Sequence, residues 1–219
     1  MSGGLTKEEI NRKLLHVFAV ALPVCIYYGP NFFGMERFWA CILALGLTVF
    51  SIFVEFARWN HGRFGVLFLR CFSSMLRKEE ERQVTGATYL IAGSAICSLI
   101  SLYSEAVAAC AFLGLTFFIL GDAVAALVGK AIGRIKIGEK TLEGAMGCCL
   151  VCALLAFFVF PSLPGFLGDW GGEFSLVQVL VLSVTVSLLE LVPVRLGRVV
   201  INDNLYVPAV TSAVALMIR

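Results

Sequence analysis

Charge is scarce in this chain of 219 residues, where Asp, Glu, Lys and Arg together make up 15% and only two histidines occur. Soluble domains carry roughly a quarter charged residues, so a water-facing globular surface is excluded by composition. Soluble nucleotide-binding signatures are missing as well. There is no G-x-x-x-x-G-K-[ST] loop, no G-x-G-x-x-G after a strand and no H-E-x-x-H, and no nucleic-acid partner is expected. Cys149 and Cys152 form the single C-x-x-C among eight cysteines, with neither a second pair nor a histidine at ligand spacing. The cysteines therefore read as small apolar packing residues. The polar stretch from Met1 to Lys13 is not followed by a small-residue cleavage pattern, so no secretory signal peptide is expected.

Apolar side chains fill the space that charge leaves, at 59% of residues and a mean hydropathy of +0.92. Apolar stretches run near 14–28, 38–57, 84–103, 106–129, 145–160, 174–193 and 205–218. Each approaches the length that crosses roughly 30 Å of hydrocarbon at about 1.5 Å per residue. The expected fold is an all-α integral membrane protein, a bundle of about seven transmembrane helices forming a single membrane-embedded domain over 1–219.

Of the 17 Lys and Arg residues, all but Arg37 and Arg219 then fall on one side of the bundle. The positive-inside rule puts that side, and the N-terminus, in the cytoplasm and the C-terminus outside. The cytoplasmic loop 58–83 is basic and mixes Phe64, Leu67, Phe72 and Leu76 with Arg63, Arg70, Arg77 and Lys78. It reads as an interfacial helix on anionic headgroups, or as a basic loop that only fixes topology.

In this topology the odd-numbered spans start at the cytoplasmic surface and the even-numbered ones end there. Starting ends expose N–H groups and favour phosphate. They carry Arg12, Lys13 and His16; Thr85 and Gly86; Lys140, Thr141 and Gly144; and Asn202, Asp203 and Asn204. Finishing ends carry Glu55, Asp122 and Glu190, carboxylates that are costly in lipid and so face a protein interior, a polar cavity or a partner. Carboxylates beside basic, glycine-rich helix starts suit a Mg²⁺-bound phosphate substrate.

Blander readings stand beside these. Asp122, Ala125, Gly129 and Gly133 share a helical stripe that admits either a nucleotide or a neighbouring helix. Lys140 and Glu143 can be an i,i+3 surface pair, Glu55 can simply pair with Arg58, and His16 can be a satisfied interfacial histidine. Arg12 and Lys13 can be orientation signals, and Asp203 can be the N-cap of the last span.

"NRKLLHV" at 11–17, "TGATYLIAG" at 85–93, "GDAVAALVGKAIG" at 121–133, "KTLEG" at 140–144, "LLELVP" at 188–193 and "NDNLYVPAV" at 202–210 occur in that order. The set resembles the CTP-dependent lipid kinases of the polyprenol kinase family, which includes dolichol kinase, phytol kinase and the CTP-using diacylglycerol kinase of fungi. The resemblance implies transfer of the γ-phosphoryl of CTP to the hydroxyl of a membrane lipid alcohol at the cytoplasmic face, with Mg²⁺ or another divalent cation. It implies that Asp122 is a metal ligand or the base near the lipid hydroxyl. Lys140 would bind phosphate, Glu143 would bind metal or orient Lys140, and Asp203 with Asn204 would complete the metal and nucleotide shell. Glu190 would be a further acid of the pocket, with metal-binding capacity. Arg12, Lys13, His16, Lys130 and Thr141 would contact nucleotide or phosphate, and Gly121, Gly129 and Gly144 would allow close backbone approach. Asn202 stands where some relatives show a second acid.

Two rival functions fit the same setting. A phosphatidate cytidylyltransferase shares CTP, Mg²⁺ and the membrane, but the end of this chain lacks the K-D-x-G…P-G-H-G-G…D-R run of such enzymes. The other is a transporter or non-catalytic lipid-binding protein; a transporter with Asp122 and Glu190 on an ion path would place acids at both mouths, whereas here polar groups gather on one side.

Overall fold

The computed structural model describes residues 7–73, 76, 80, 83–197 and 199–219, and the side chains of 7–10, 196 and 199 are left out of the description. Arg77, Lys78, Arg82 and Arg198, used above for orientation, lie outside the described residues. The described chain is helical apart from two hairpins of two-residue strands. Helices α1 (Lys7–Phe18), α2 (Ala21–Phe33), α3 (Arg37–Asn60), α4 (Gly62–Phe72), α5 (Gly86–Ser101) and α6 (Glu105–Ile132) come first. Strands β1 (Lys136–Ile137) and β2 (Lys140–Thr141) lead into α7 (Leu142–Leu154), then α8 (Phe166–Trp170) and α9 (Leu176–Leu191). Strands β3 (Arg195–Leu196) and β4 (Val199–Val200) precede α10 (Asp203–Ile218).

Four helical stretches among the described residues are long and apolar enough to cross a membrane: Asn11–Phe33, Arg37–Asn60, Glu105–Ile132 and Leu142–Ser162. The other three expected spans appear as α5, α9 and α10, apolar helices of 16 residues each. At about 1.5 Å per residue they reach roughly 24 Å, short of a full hydrocarbon thickness of about 30 Å.

The first expected span is broken rather than continuous, because α1 ends at Phe18 and α2 begins at Ala21. Pro23 explains the break: it has no N–H to give to the carbonyl of Ala19, and its ring crowds that carbonyl. Arg12, Lys13 and His16 sit in the body of α1 and not at a helix start as expected.

Side chains fix the other helix starts. Thr85, Ser104 and Thr141 accept from the backbone N–H three residues on, and Ser175 with Gln178 forms a reciprocal capping box. The fifth apolar stretch loosens at its far end, where α7 passes into a wider turn over Leu155–Val159 and a tight turn over Phe160–Ser162. Pro161 cannot donate a helical hydrogen bond there.

Helix α6 is the centre. Two thirds of its most apolar window is buried, against about a fifth to a third for the other long spans, and α7, α10, α5 and α9 pack around it. Outward faces stay apolar: Leu43, Val49, Phe50, Phe53 and Phe56 of α3 are all well exposed. A surface of this kind suits hydrocarbon and not water.

Small residues let α7 lie close to α6. A Cβ added at Gly144 would stand 2.6 Å from the Ala125 carbonyl oxygen, and one at Gly129 would stand 2.6 Å from Thr141 Oγ1. The stripe containing Ala125 and Gly129 is thus occupied by the neighbouring helix. Gly144→Val is expected to destabilise the protein by about 1–3 kcal/mol by forcing α7 away, while Gly46→Ala, in open space on α3, is expected to be neutral. Thermal unfolding of both variants in detergent checks this, and equal midpoints would refute it.

Candidate functional site

The alternating helix directions bring the finishing ends of α3, α6 and α9 beside the starting ends of α5, α7 and α10. Asp122 lies in the second half of α6. Lys13 reaches it from α1, with Nζ 2.6 Å from Asp122 Oδ2 and 3.2 Å from its backbone oxygen. His16, one turn further along α1, places Nε2 3.2 Å from the same carboxylate oxygen. Lys13 is buried; an ammonium there is tolerable only because the acid beside it is equally shielded.

Lys140 arrives from the other side on β2. Gly138, at φ +64°, turns the hairpin in which Ile137 faces Lys140 and Lys136 faces Thr141. Its ammonium stands 2.8 Å from Glu190 Oε1 and 2.8 Å from Asp203 Oδ2, and also donates to the backbone oxygen of Glu190. Burial alone would lower the pKa of Lys140, but the Asp203 and Glu190 carboxylates more than offset this and raise it above the ordinary value.

The N-cap of α10 is Asn202 and not Asp203. Asn202 Oδ1 accepts from the Asn204 N–H at 3.1 Å, and Asp203 Oδ1 accepts from the same N–H at 3.0 Å. Capping by Asn202 leaves Asp203 Oδ2 to Lys140.

Asp122, Glu190 and Asp203 each offer an oxygen, and the three lie within 4.8 Å of one another. The donor set is all hard oxygen, which fits Mg²⁺ or a similar cation better than a soft metal. Lys13 and Lys140 are the cations in direct contact with these three carboxylates. A divalent cation would be electrostatically welcome there.

Glu55 organises a second buried cluster. It accepts from Arg58 Nε at 2.5 Å, from the Thr85 N–H at 2.8 Å, from Thr85 Oγ1 at 2.7 Å and from Thr88 Oγ1 at 2.9 Å. Arg58 in turn donates to the carbonyls of Glu80 and Gln83, pinning the segment before α5. The α5 start is thereby supplied with acceptors: Glu80 Oε1 takes the Gly86 N–H at 2.8 Å. Asn204 Nδ2 donates to the Gly86 carbonyl at 2.8 Å and joins the two clusters.

Between them lies a cavity of about 560 Å³. Arg12, Lys13, His16, Asp122, Asp203 and Asn204 line its polar end, and α1, α2, α3 and α5 supply apolar side chains elsewhere. Phe68 and Phe72 of α4, with Leu76 beyond it, also line the cavity. The Arg58 guanidinium sits 5.4 Å over the Phe68 ring and holds α4 in place.

Comparison with protein-family models, curated proteins and solved structures finds no match.

Several expected residues lie away from the acidic cluster. Both Glu143 oxygens accept the Ile135 N–H at 3.2 Å, so this acid anchors the start of the β1–β2 hairpin. Thr141 caps α7 through the Gly144 N–H, and Gly121 and Gly129 pack against α7, where a Cβ at Gly121 would meet Cys148 Sγ at 2.7 Å. Lys130 occupies the last turn of α6, about two turns beyond Asp122 and outside the cavity lining. The expected i,i+3 pairing of Glu55 with Arg58 is present. Glu80, one acid in a run of charge, gave no sequence signal of its place in this cluster.

Replacing Lys140 by Met is expected to cost about 2–3 kcal/mol, the low end for a buried pair because its side chain is 31% exposed. Because its pKa is raised on folding, the stabilisation is complete below the ordinary lysine value of about 10.5 and is lost as pH rises through the higher folded value. Unfolding midpoints of wild type and Lys140→Met should differ by a constant amount from neutral to mildly alkaline pH and converge only in strong alkali. Convergence near neutrality would contradict the assignment.

Proposed function

We propose that this chain is a membrane-embedded phosphotransferase that moves the γ-phosphoryl group of a nucleoside triphosphate, CTP by resemblance, to the hydroxyl of a lipid alcohol. One observation carries the reading. Three carboxylates from α6, α9 and α10 converge beside two lysines, and Asp122, Asp203 and Lys13 of this cluster line the polar end of a cavity whose other walls are apolar. Phosphoryl transfer demands mostly positioning and charge stabilisation, which such a cluster supplies.

In this reading the bundle crosses the membrane seven times, with its N-terminus and the acidic cluster at the cytoplasmic face and its C-terminus outside. Helix α4 lies in the interface above the cavity. Amphipathicity and position support this: none of its described residues is buried, yet Phe68 and Phe72 turn toward the cavity.

Asp122, Glu190 and Asp203 would hold Mg²⁺, which neutralises phosphate oxygens when bound. Lys140, beside Glu190 and Asp203, would hold phosphate oxygens of the nucleotide. Lys13 holds Asp122 aimed into the site, and His16, beside Asp122, would receive the proton released by the lipid hydroxyl. In the reaction the bond from the γ-phosphorus to the β,γ-bridging oxygen breaks and a bond to the lipid oxygen forms. The products are a nucleoside diphosphate and a lipid phosphate monoester.

Purified protein, Mg²⁺, a panel of γ-labelled nucleoside triphosphates and several lipid alcohols provide the test. Label should move to lipid, with CDP as the co-product from CTP. Pyrophosphate as co-product would indicate nucleotidyl transfer instead, and no labelled lipid with any acceptor would sink the proposal. Asp122→Asn and Asp203→Asn should each lower turnover by a hundredfold or more, on the order expected for losing a preorganised charge. Both should also weaken Mn²⁺ binding, measured by its paramagnetic resonance signal, while the far-ultraviolet dichroism stays helical.

A further inference from the structure

A second, smaller cavity of about 60 Å³ is lined by Leu22, Cys25, Ile26, Ala40, Leu43, Ala44, Leu47, Ile91 and Ser94. Three of these, Leu22, Leu47 and Ile91, also line the large cavity, so the two adjoin across these side chains. The walls come from α2, α3 and α5, and the Asn11–Phe33 and Arg37–Asn60 stretches that contain α2 and α3 are long enough to span a membrane. Ser94 lies eight residues along α5 from Gly86, about 12 Å deeper at 1.5 Å per residue. The small cavity therefore lies beside the large one, deeper along α5 than the acidic end.

The character of the lower cavity selects its occupant. Ser94 Oγ is its one side-chain hydroxyl, is 1% exposed and has no hydrogen-bond partner among the described residues. A buried water needs two to four polar partners, which this wall does not offer. Hydrocarbon needs none, and small residues at Ala40 and Ala44 leave width for it.

Resting on the reading above, we propose that the lower cavity is the tail subsite for the lipid acceptor. It takes a single hydrocarbon chain threaded between α2, α3 and α5, and Ala40 and Ala44 set how long a chain fits. The hydroxyl end lies at Asp122 and Asp203, and the chain passes Leu22, Leu47 and Ile91 before reaching these alanines. An acceptor with two chains keeps its second chain in the bilayer.

Two measurements on the full-length protein in lipid nanodiscs test this. In the first, a long-chain primary alcohol with an alkyl diazirine at its terminal carbon is photolysed with the protein, and labelled peptides are mapped. Label on Ile26, Ala40 or Ala44, competed by the unlabelled long-chain alcohol, supports the subsite. Label only on outward residues such as Val49, Phe50 and Phe53 overturns it, whether or not the protein transfers phosphoryl groups. In the second, Ala44→Phe and Ala40→Phe are compared with wild type on alcohols of graded length. The ratio of long-chain to short-chain turnover should fall about tenfold or more in at least one variant, as expected when a ring fills an apolar pocket. An unchanged ratio in both folded variants overturns the chain-length role. Absence of turnover on every alcohol, combined with cavity labelling, would refute the kinase reading while leaving the tail subsite standing.

Discussion

Three carboxylates held close together in a poorly solvated place are the constraint on which the rest of this structure turns. Like charges at such separations repel strongly when water cannot screen them, and isolated acids in an apolar bundle are costly. Lys13 and Lys140 make the arrangement tenable, one approaching from α1 and the other from the β1–β2 hairpin. Both cations are donated by segments outside the four helices that pack most closely on α6. The bundle positions the acids, and its peripheral segments neutralise them.

That division explains features that would otherwise look unrelated. Lys140 reaches Glu190 and Asp203 only if the hairpin is fixed against α6 and α7. Close packing of those helices through Gly129 and Gly144, and the Glu143 contact to the Ile135 N–H, provide the fixing. Glu143 acts on the site through the backbone it anchors. A glycine stripe that resembles a nucleotide cradle is, physically, the means by which a lysine is delivered to two acids.

The chain's helices and their apolar faces were legible in the sequence because hydropathy alone marks segments that must avoid water. The grouping of Asp122, Glu190 and Asp203 was legible for a related reason: alternating helix directions force finishing and starting ends together. Pairings were harder. Lys13 lies 109 residues from Asp122, and nothing local in either segment specifies that contact. The identity of the α10 cap was ambiguous because Asn202 and Asp203 are both good caps, and only the demand of Lys140 for Asp203 separates them. The break before Pro23 was readable from proline chemistry, yet a hydropathy window averages across it and so reports one span.

Polarity also divides the molecule along its long direction. At the end remote from the acids, Tyr27 donates to Asp169 at 2.5 Å, Arg37 pairs with Glu105, and Phe112, Phe160, Phe166 and Trp170 form a closed aromatic cluster. Polar groups there are consumed in pairs that tie α2 to α8 and α3 to α6, and neither cavity includes these pairs. At the acid end the reverse holds, since charged groups line a cavity that continues into apolar walls. A wholly water-soluble ligand would leave those walls wet, and a wholly apolar one would leave the charges unsolvated. Charged lining and apolar walls therefore meet in one cavity at this end.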